Sequence, residues 1–167
     1  NVELTDNPML ESIEDFEIVS ADQINPDTVL GQTVYLQSTS MSADIAFTND
    51  FYNDQTGGDR NLIIDRIEVL DSNDQVVHIL EGEDVGNNGS SATTGGNWGD
   101  TGWILWGRGH IRMPFTVPSV GNYRFRVTAW AQQEGDELAN LRVSINNPDI
   151  TSGNSTGALI IKQTIQL

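Results

Sequence analysis

Apolar and polar residues alternate along the chain in short runs rich in Val, Ile, Thr, Phe and Tyr, side chains suited to a pleated, half-buried surface. The clearest run is Tyr123-Arg124-Phe125-Arg126-Val127-Thr128-Ala129-Trp130. There Tyr123, Phe125, Val127 and Ala129 fall on one face and Arg124, Arg126 and Thr128 on the other. Similar runs predict strands at Phe16–Ser20, Thr33–Gln37, Asp44–Thr48, Leu62–Leu70 and Val76–Glu81. Further runs predict Trp103–Trp106, Ile111–Val117, Asn140–Ile145 and Ala158–Gln166. Clusters of Gly, Asn, Asp and Ser separate them, and no helical periodicity is sustained. Many short strands divided by turn signals predict an all-β fold, an antiparallel β-sandwich of jelly-roll type. The longest stretch poor in apolar residues, Gly82–Gly102, reads as a functional or mobile loop.

A chain of 167 residues is the size of one domain and long enough to bury a core. Residues 15–167 are expected to form that single module, with 1–14 an acidic linker or an edge segment whose strand begins near Ile13. No tandem repeat of solenoid length is present.

Charge narrows the partners. Twenty-four acidic residues against eight basic ones give a net charge of −16, which repels nucleic-acid phosphates and anionic membrane surfaces. Such a surface favours solubility, and a monomer is expected; local carboxylates also suit divalent cations. Cysteine is absent, so disulfides and thiolate chemistry are excluded. No apolar run is long enough to insert into a membrane. His78 and His110 lie in strand-like contexts, Glu134, Asp136 and Glu137 read as solvated loop acids, and the turn Glu81-Gly82-Glu83-Asp84 as a solvated turn, with a second, structural calcium site as the alternative. No catalytic residues are assigned.

The connection between Phe47 and Leu62 carries the densest chemistry, holding Asp50, Asp54 and Asp59 together with Asn49, Asn53, Gln55 and Asn61 around Gly57-Gly58. Calcium takes about six to eight oxygen ligands, so this loop suits it. Asn, Asp and Gly equally favour plain Asx turns, and the EF-hand spacing is absent, so the loop alone leaves both readings open.

Phe47-Thr48-Asn49-Asp50, followed by Asp59-Arg60-Asn61-Leu62 and a strand, resembles the calcium-dependent xylan-binding modules of carbohydrate-binding module families 60 and 36. Gly121–Ala129, then Gly135-Asp136-Glu137 ahead of Leu141-Arg142-Val143, resembles the other half of such a module, the two halves standing in permuted order. The resemblance implies a bound Ca2+ held by Asp50 and Glu137, by Asp59 or Asn61 as a third side chain, and by the backbone carbonyl of Arg60. It further implies that adjacent sugar hydroxyls complete the ion's coordination. The implied protein is a secreted or cell-surface, non-catalytic module for xylan or a related plant or algal polysaccharide, of the kind appended to polysaccharide-degrading enzymes. A calcium-stabilised structural or adhesive domain of a larger surface protein is the alternative.

Aromatic faces stack on pyranose rings, which makes Tyr52, Trp98 and Trp103 the candidate sugar contacts. Trp98, set between Gly96-Asn97 and Gly99-Asp100, is expected to be exposed, whereas Trp106 and Trp130 end or continue strands and are expected in the core.

Overall fold

The computed structural model describes residues 11–18, 26–132, 134, 137, 139–146 and 158–162. In chain order the strands are β1 (Glu11–Ile18), β2 (Asp27–Leu30), β3 (Val34–Leu36), β4 (Ser40–Phe47), β5 (Phe51–Asn53), β6 (Gly58–Leu70) and β7 (Val76–Glu81). A single 3-10 turn (Gly82–Asp84) precedes β8 (Ser91–Ala92), β9 (Gly96–Asn97), β10 (Trp103–Leu105), β11 (Gly109–Thr116), β12 (Gly121–Gln132), β13 (Ala139–Asn146) and β14 (Ala158–Lys162).

These strands build the antiparallel β-sandwich that the alternation predicts. One sheet runs β14-β1-β13-β4-β11-β8. The other runs β2-β12-β6-β10-β9, with β3 also on β12 and both β5 and β7 also on β6. The pairs are antiparallel except β1 with β14. Glu11 to Glu14 are ladder residues between β13 and β14, so the paired segment starts ahead of the expected Ile13. The Gly82–Gly102 stretch contains the 3-10 turn and the two short strands β8 and β9. Of the expected last strand, Ala158–Lys162 is present and 163–167 lie outside the described residues.

The core lies between the two inner faces. Met41, Ala43, Ile45 and Phe47 of β4, Ile111, Met113 and Phe115 of β11, and Leu141, Val143 and Ile145 of β13 come from the first sheet. Leu62, Ile64, Ile67 and Val69 of β6 and Tyr123, Phe125, Val127, Ala129 and Ala131 of β12 come from the second. The spacing along β6 breaks strict alternation because the β6–β12 register shifts between Thr128 and Ala129, leaving Asp65 as the extra residue of a bulge. Without that residue Leu62 and Ile64 would face away from the core that takes Ile67 and Val69, since one step of register exchanges the faces.

Leu62-Ile63-Ile64 is buried on both sides. Ile63 faces outward beneath a second, smaller cluster with Ile104 and Trp130, and Trp98 packs against it. Trp130 pairs with Ile63 across the β12–β6 ladder and Ile104 pairs with Ile63 across β6–β10, so three neighbouring strands contribute one residue each. Trp130 is buried, as expected, but on the face opposite Tyr123, Phe125, Val127 and Ala129, so the cluster it joins is the outer one and not the main core.

Beyond the bulge, the Arg126 guanidinium donates to Glu68 at 2.5 Å on this same outer surface and holds the Glu68 carboxyl below its ordinary range. At the acidic end of β7, Glu81 stands opposite Arg66 in the β6–β7 ladder without an ion pair to it. Burial, and then the neighbouring Glu83, push the Glu81 carboxyl above its usual range, with Arg66 opposing. Gly82 follows, so close to the Ile64 carbonyl and the Gly102 backbone that a Cβ would collide with both.

Two outcomes follow from this packing. Trp130→Ala should cost about 3–5 kcal/mol in urea unfolding, as large-to-small changes in buried clusters do, and a loss below about 1 kcal/mol would contradict the outer cluster. Glu81 has a raised folded-state pKa, so its penalty is absent below the ordinary carboxylate range and grows as pH rises through the raised value. Glu81→Gln should accordingly raise the melting temperature at neutral pH, and the gain should close on acidification below about pH 4. A gain independent of pH would rule this out.

Candidate functional site

The loop rich in Asp and Asn sits at one end of the sandwich, where β4 leaves the first sheet and the β5–β6 hairpin enters the second. Thr48 continues the β4–β13 ladder beyond Phe47, its N–H donating to the Asn140 carbonyl at 3.1 Å. The Asn49 Oδ1 accepts the Asn140 N–H at 2.7 Å, so a side chain replaces the next ladder bond and frees the backbone to turn. In the β5–β6 turn the Asn53 Oδ1 accepts the N–H groups of Gln55 at 3.0 Å and Thr56 at 3.4 Å. Gly57, at φ 73°, closes this turn in the left-handed region. The Asn53–Gly58 part of the loop is thus an Asx turn.

Arg60 ties the loop to the β12–β13 connection. It is 3% exposed, and its position between Asp59 and Asn61 on β6 turns it to the same side as Leu62. Nη1 donates to the Asn49 carbonyl at 2.8 Å and Nη2 to the Glu134 carbonyl at 2.8 Å. The guanidinium also lies 5.5 Å from the centre of the Phe51 ring and 3.5 Å from the Glu137 carboxylate. Glu137 is 77% exposed, so this ion pair contributes little beside the two buried carbonyl bonds.

Glu134 is the residue that sequence reasoning passed over. Its Oε1 accepts from the Asn53 amide and from the Thr56 hydroxyl, each at 3.0 Å. The carboxylate lies directly against Gly58, where any Cβ would overlap it. Gly58 therefore supplies room for Glu134, while Gly57 supplies the positive φ; the Gly57-Gly58 pair was the visible signal of a close approach. Glu134 is a clamp on the hairpin instead of a solvated acid.

Of the residues implied to hold an ion, Asp50 and Glu137 lie on the two segments that Arg60 joins. Among the described residues Asp50 Oδ1 is buried without a hydrogen-bond partner, and so is Asn61 Oδ1, whose amide Nδ2 donates to Gln132 at 2.7 Å. Asp59 is half-buried and pairs with Tyr52 across the hairpin. Among the described residues no three His, Asp or Glu side chains converge as a ready-made metal cage. Gly135, Asp136 and Leu138 lie outside the described residues. The donors present are oxygen only, which fits a hard divalent cation drawing on amide and backbone oxygens as well as carboxylates.

The aromatic residues are distributed differently from the expectation. Tyr52 is exposed on β5. Trp103 packs against the main core while its indole N–H donates to the Thr94 carbonyl at 3.1 Å. Trp98 is half-buried on the outer cluster instead of exposed. Trp106, expected in the core, is 54% exposed, because β10 ends at Leu105 and the neighbouring strand offers only Gly96 to cover it.

The family model described as the Ca-dependent, xylan-binding carbohydrate-binding module, family 60, matches residues 11–78. The match supports the resemblance carried by Phe47–Asp50 and Asp59–Leu62. It covers β1 to β6 and the first residues of β7, and with them the whole loop from Asn49 to Asn61. No curated protein and no solved structure matches the chain.

Arg60→Met should leave the Asn49 and Glu134 carbonyls without their donor and cost about 2–4 kcal/mol in urea unfolding, with Arg60→Lys recovering only part. A loss below about 0.5 kcal/mol would show that the guanidinium does not fasten the loop.

Proposed function

We propose that the chain is a non-catalytic module that binds a neutral polysaccharide of the xylan type through calcium held at the Asn49–Asn61 loop. The observation that carries this reading is Asp50 Oδ1, a buried carboxylate oxygen without a partner among the described residues, inside the segment matched by a family described as calcium-dependent and xylan-binding. An unpartnered buried acceptor is costly, and a cation removes that cost.

Asp50 and Glu137 are the two carboxylates assigned to the ion, with Asp59 or Asn61 as a third side chain and the Arg60 carbonyl beside them. When bound, calcium supplies coordination positions that two adjacent sugar hydroxyls fill in place of water. The chain's own part is to hold these oxygens in place. Arg60 fixes the Asn49 backbone against the β12–β13 connection, and Glu134 fixes the hairpin turn through Asn53 and Thr56. The strong net negative charge favours the cation and disfavours anionic partners.

A module of this kind works outside the cell, on a surface or attached to a polysaccharide-degrading enzyme, and acts as a monomer. No helix among the described residues is long and apolar enough to cross a membrane.

Affinity electrophoresis through xylan gels tests the reading. The protein should be retarded with calcium present and run freely with chelator, and Asp50→Ala should run freely in both. Calcium should also stabilise the fold, by about 2.7 kcal/mol at 100 times its Kd. Retardation by xylan that survives chelation and the Asp50 substitution would overturn the mechanism.

A further inference from the structure

The Gly82–Gly102 stretch takes no part in the proposed function, and it holds the chain's one Asn-Gly pair, Asn88-Gly89. Both residues are exposed. Asn88 stands at φ 52° and Gly89 at φ 80°, and the Ser90 N–H donates to the Asn87 carbonyl at 2.8 Å, which together make a type I′ turn over Asn87–Ser90. Asparagine and glycine are the residues that tolerate this double left-handed step.

The turn is held from within its own loop. The Ser90 hydroxyl accepts the Gly86 N–H at 3.0 Å and lies 2.9 Å from the Asp84 carbonyl and 2.5 Å from the Asn87 carbonyl, to one of which it gives its proton. The Asn87 N–H donates to the Asp84 carbonyl at 2.9 Å, and the Val85 N–H to the Gly82 carbonyl at 3.2 Å. These bonds all lie within Gly82–Ser90, so the loop opens without breaking either sheet. A cavity lined by Asn87, Asn88 and Ser90 together with His78, Met113 and Pro114 adjoins it, so the turn does not rest on a filled core.

We propose that Asn88 is a site of spontaneous hydrolytic modification, at a rate set by the opening of this turn. The Gly89 nitrogen attacks the Asn88 Cγ, a Cγ–N bond forms, and the side-chain nitrogen leaves as ammonia with the proton of the Gly89 N–H. Water then cleaves one of the two carbonyl–nitrogen bonds that tie the cyclic imide to the Gly89 nitrogen. Cleavage at Cγ leaves aspartate, whereas cleavage at the backbone carbonyl leaves isoaspartate, with the chain running through Cβ and Cγ. Glycine permits the attack because it has no Cβ to crowd the nitrogen. The closed turn resists it, since the planar ring needs the Gly89 nitrogen to eclipse the Asn88 Cβ about the Cα–C bond, a ψ that type I′ geometry excludes. Asn49, Asn53 and Asn61 differ on both counts: each holds its side chain in a hydrogen bond, and each precedes a larger residue. Either product places a new carboxylate in the loop that already carries Glu83 and Asp84, and isoaspartate lengthens the backbone so that the type I′ turn does not re-form.

The test is peptide mapping by mass spectrometry over weeks at body temperature and mildly alkaline pH, with aspartate and isoaspartate resolved by chromatography. Folded wild type, wild type in urea and folded Ser90→Ala are compared. Asn88 should convert in the folded wild type, with isoaspartate the larger product. Ser90→Ala should convert about fivefold faster, the shift in open population that losing the hydroxyl's bonds gives, and the chain in urea faster still. An Asn88 amide that persists in the folded protein after the unfolded chain has converted would overturn the proposal. Equal rates in folded and unfolded wild type would remove the turn as the gate, and this comparison needs no variant to fold. An unchanged rate in Ser90→Ala, with faster hydrogen exchange at its residue 90 N–H, would do the same. The outcome is independent of the calcium reading, whose matched segment ends at residue 78.

Discussion

Burying a guanidinium is costly unless acceptors meet it, and Arg60 is buried, with both Nη atoms paired and Nε unpartnered among the described residues, at an end of the sandwich where two connections between the sheets run close together. Its two strong bonds go to main-chain carbonyls, Asn49 on one connection and Glu134 on the other. Main-chain acceptors cannot turn away as side chains do, so the arginine fixes the course of both segments. Everything attributed to the site follows from that fixture. Asp50 is the next residue after one anchored carbonyl, and Glu137 lies three positions beyond the other.

The second determinant is the bulge at Asp65. It lets β6 present Leu62, Ile64, Ile67 and Val69 to the main core while Ile63 is kept for the outer surface. A two-sided β6 makes the outer cluster of Ile63, Ile104, Trp130 and Trp98, next to the Asn61–Gln132 pair on the same strands. The site loop and the outer cluster are therefore consequences of one strand: its first residues form the hairpin and hold Arg60, and the next ones fill both cores.

Much of this was legible in the chain. Alternation in Tyr123–Trp130 fixes which side chains of β12 enter the core, and the longer strands after β1 lie where the periodicity places them, whereas β1 starts at Glu11, ahead of the run that begins at Phe16. The short strands β2, β5, β8 and β9 were not legible, because two to four residues carry no period and form only where a neighbour offers unpaired backbone groups. The loop residues Asp50, Asp59, Arg60 and Asn61 stood out by composition, and the match over 11–78 includes all four. Glu134 did not stand out, since its partners Asn53 and Thr56 are about eighty residues away and nothing local marks it. Trp106 and Trp98 exchanged roles for a reason beyond any single-residue rule. Exposure at a strand end depends on the neighbouring strand, and here that neighbour ends in a glycine beside Trp106 and places Trp98 over an outward-facing isoleucine.

The central claim is that the two connections joined by Arg60 provide one calcium site with positions left open to a sugar. Diffraction from crystals grown with calcium and a xylan oligosaccharide, collected with the calcium anomalous signal, measures this directly. The account predicts one anomalous peak bonded to Asp50 Oδ1 and to the Glu137 carboxylate at calcium–oxygen distances of about 2.3–2.6 Å, with two adjacent sugar hydroxyls on the same ion. A peak confined elsewhere, or an ion at Asp50 fully enclosed by protein oxygens with the sugar absent from it, would contradict the account.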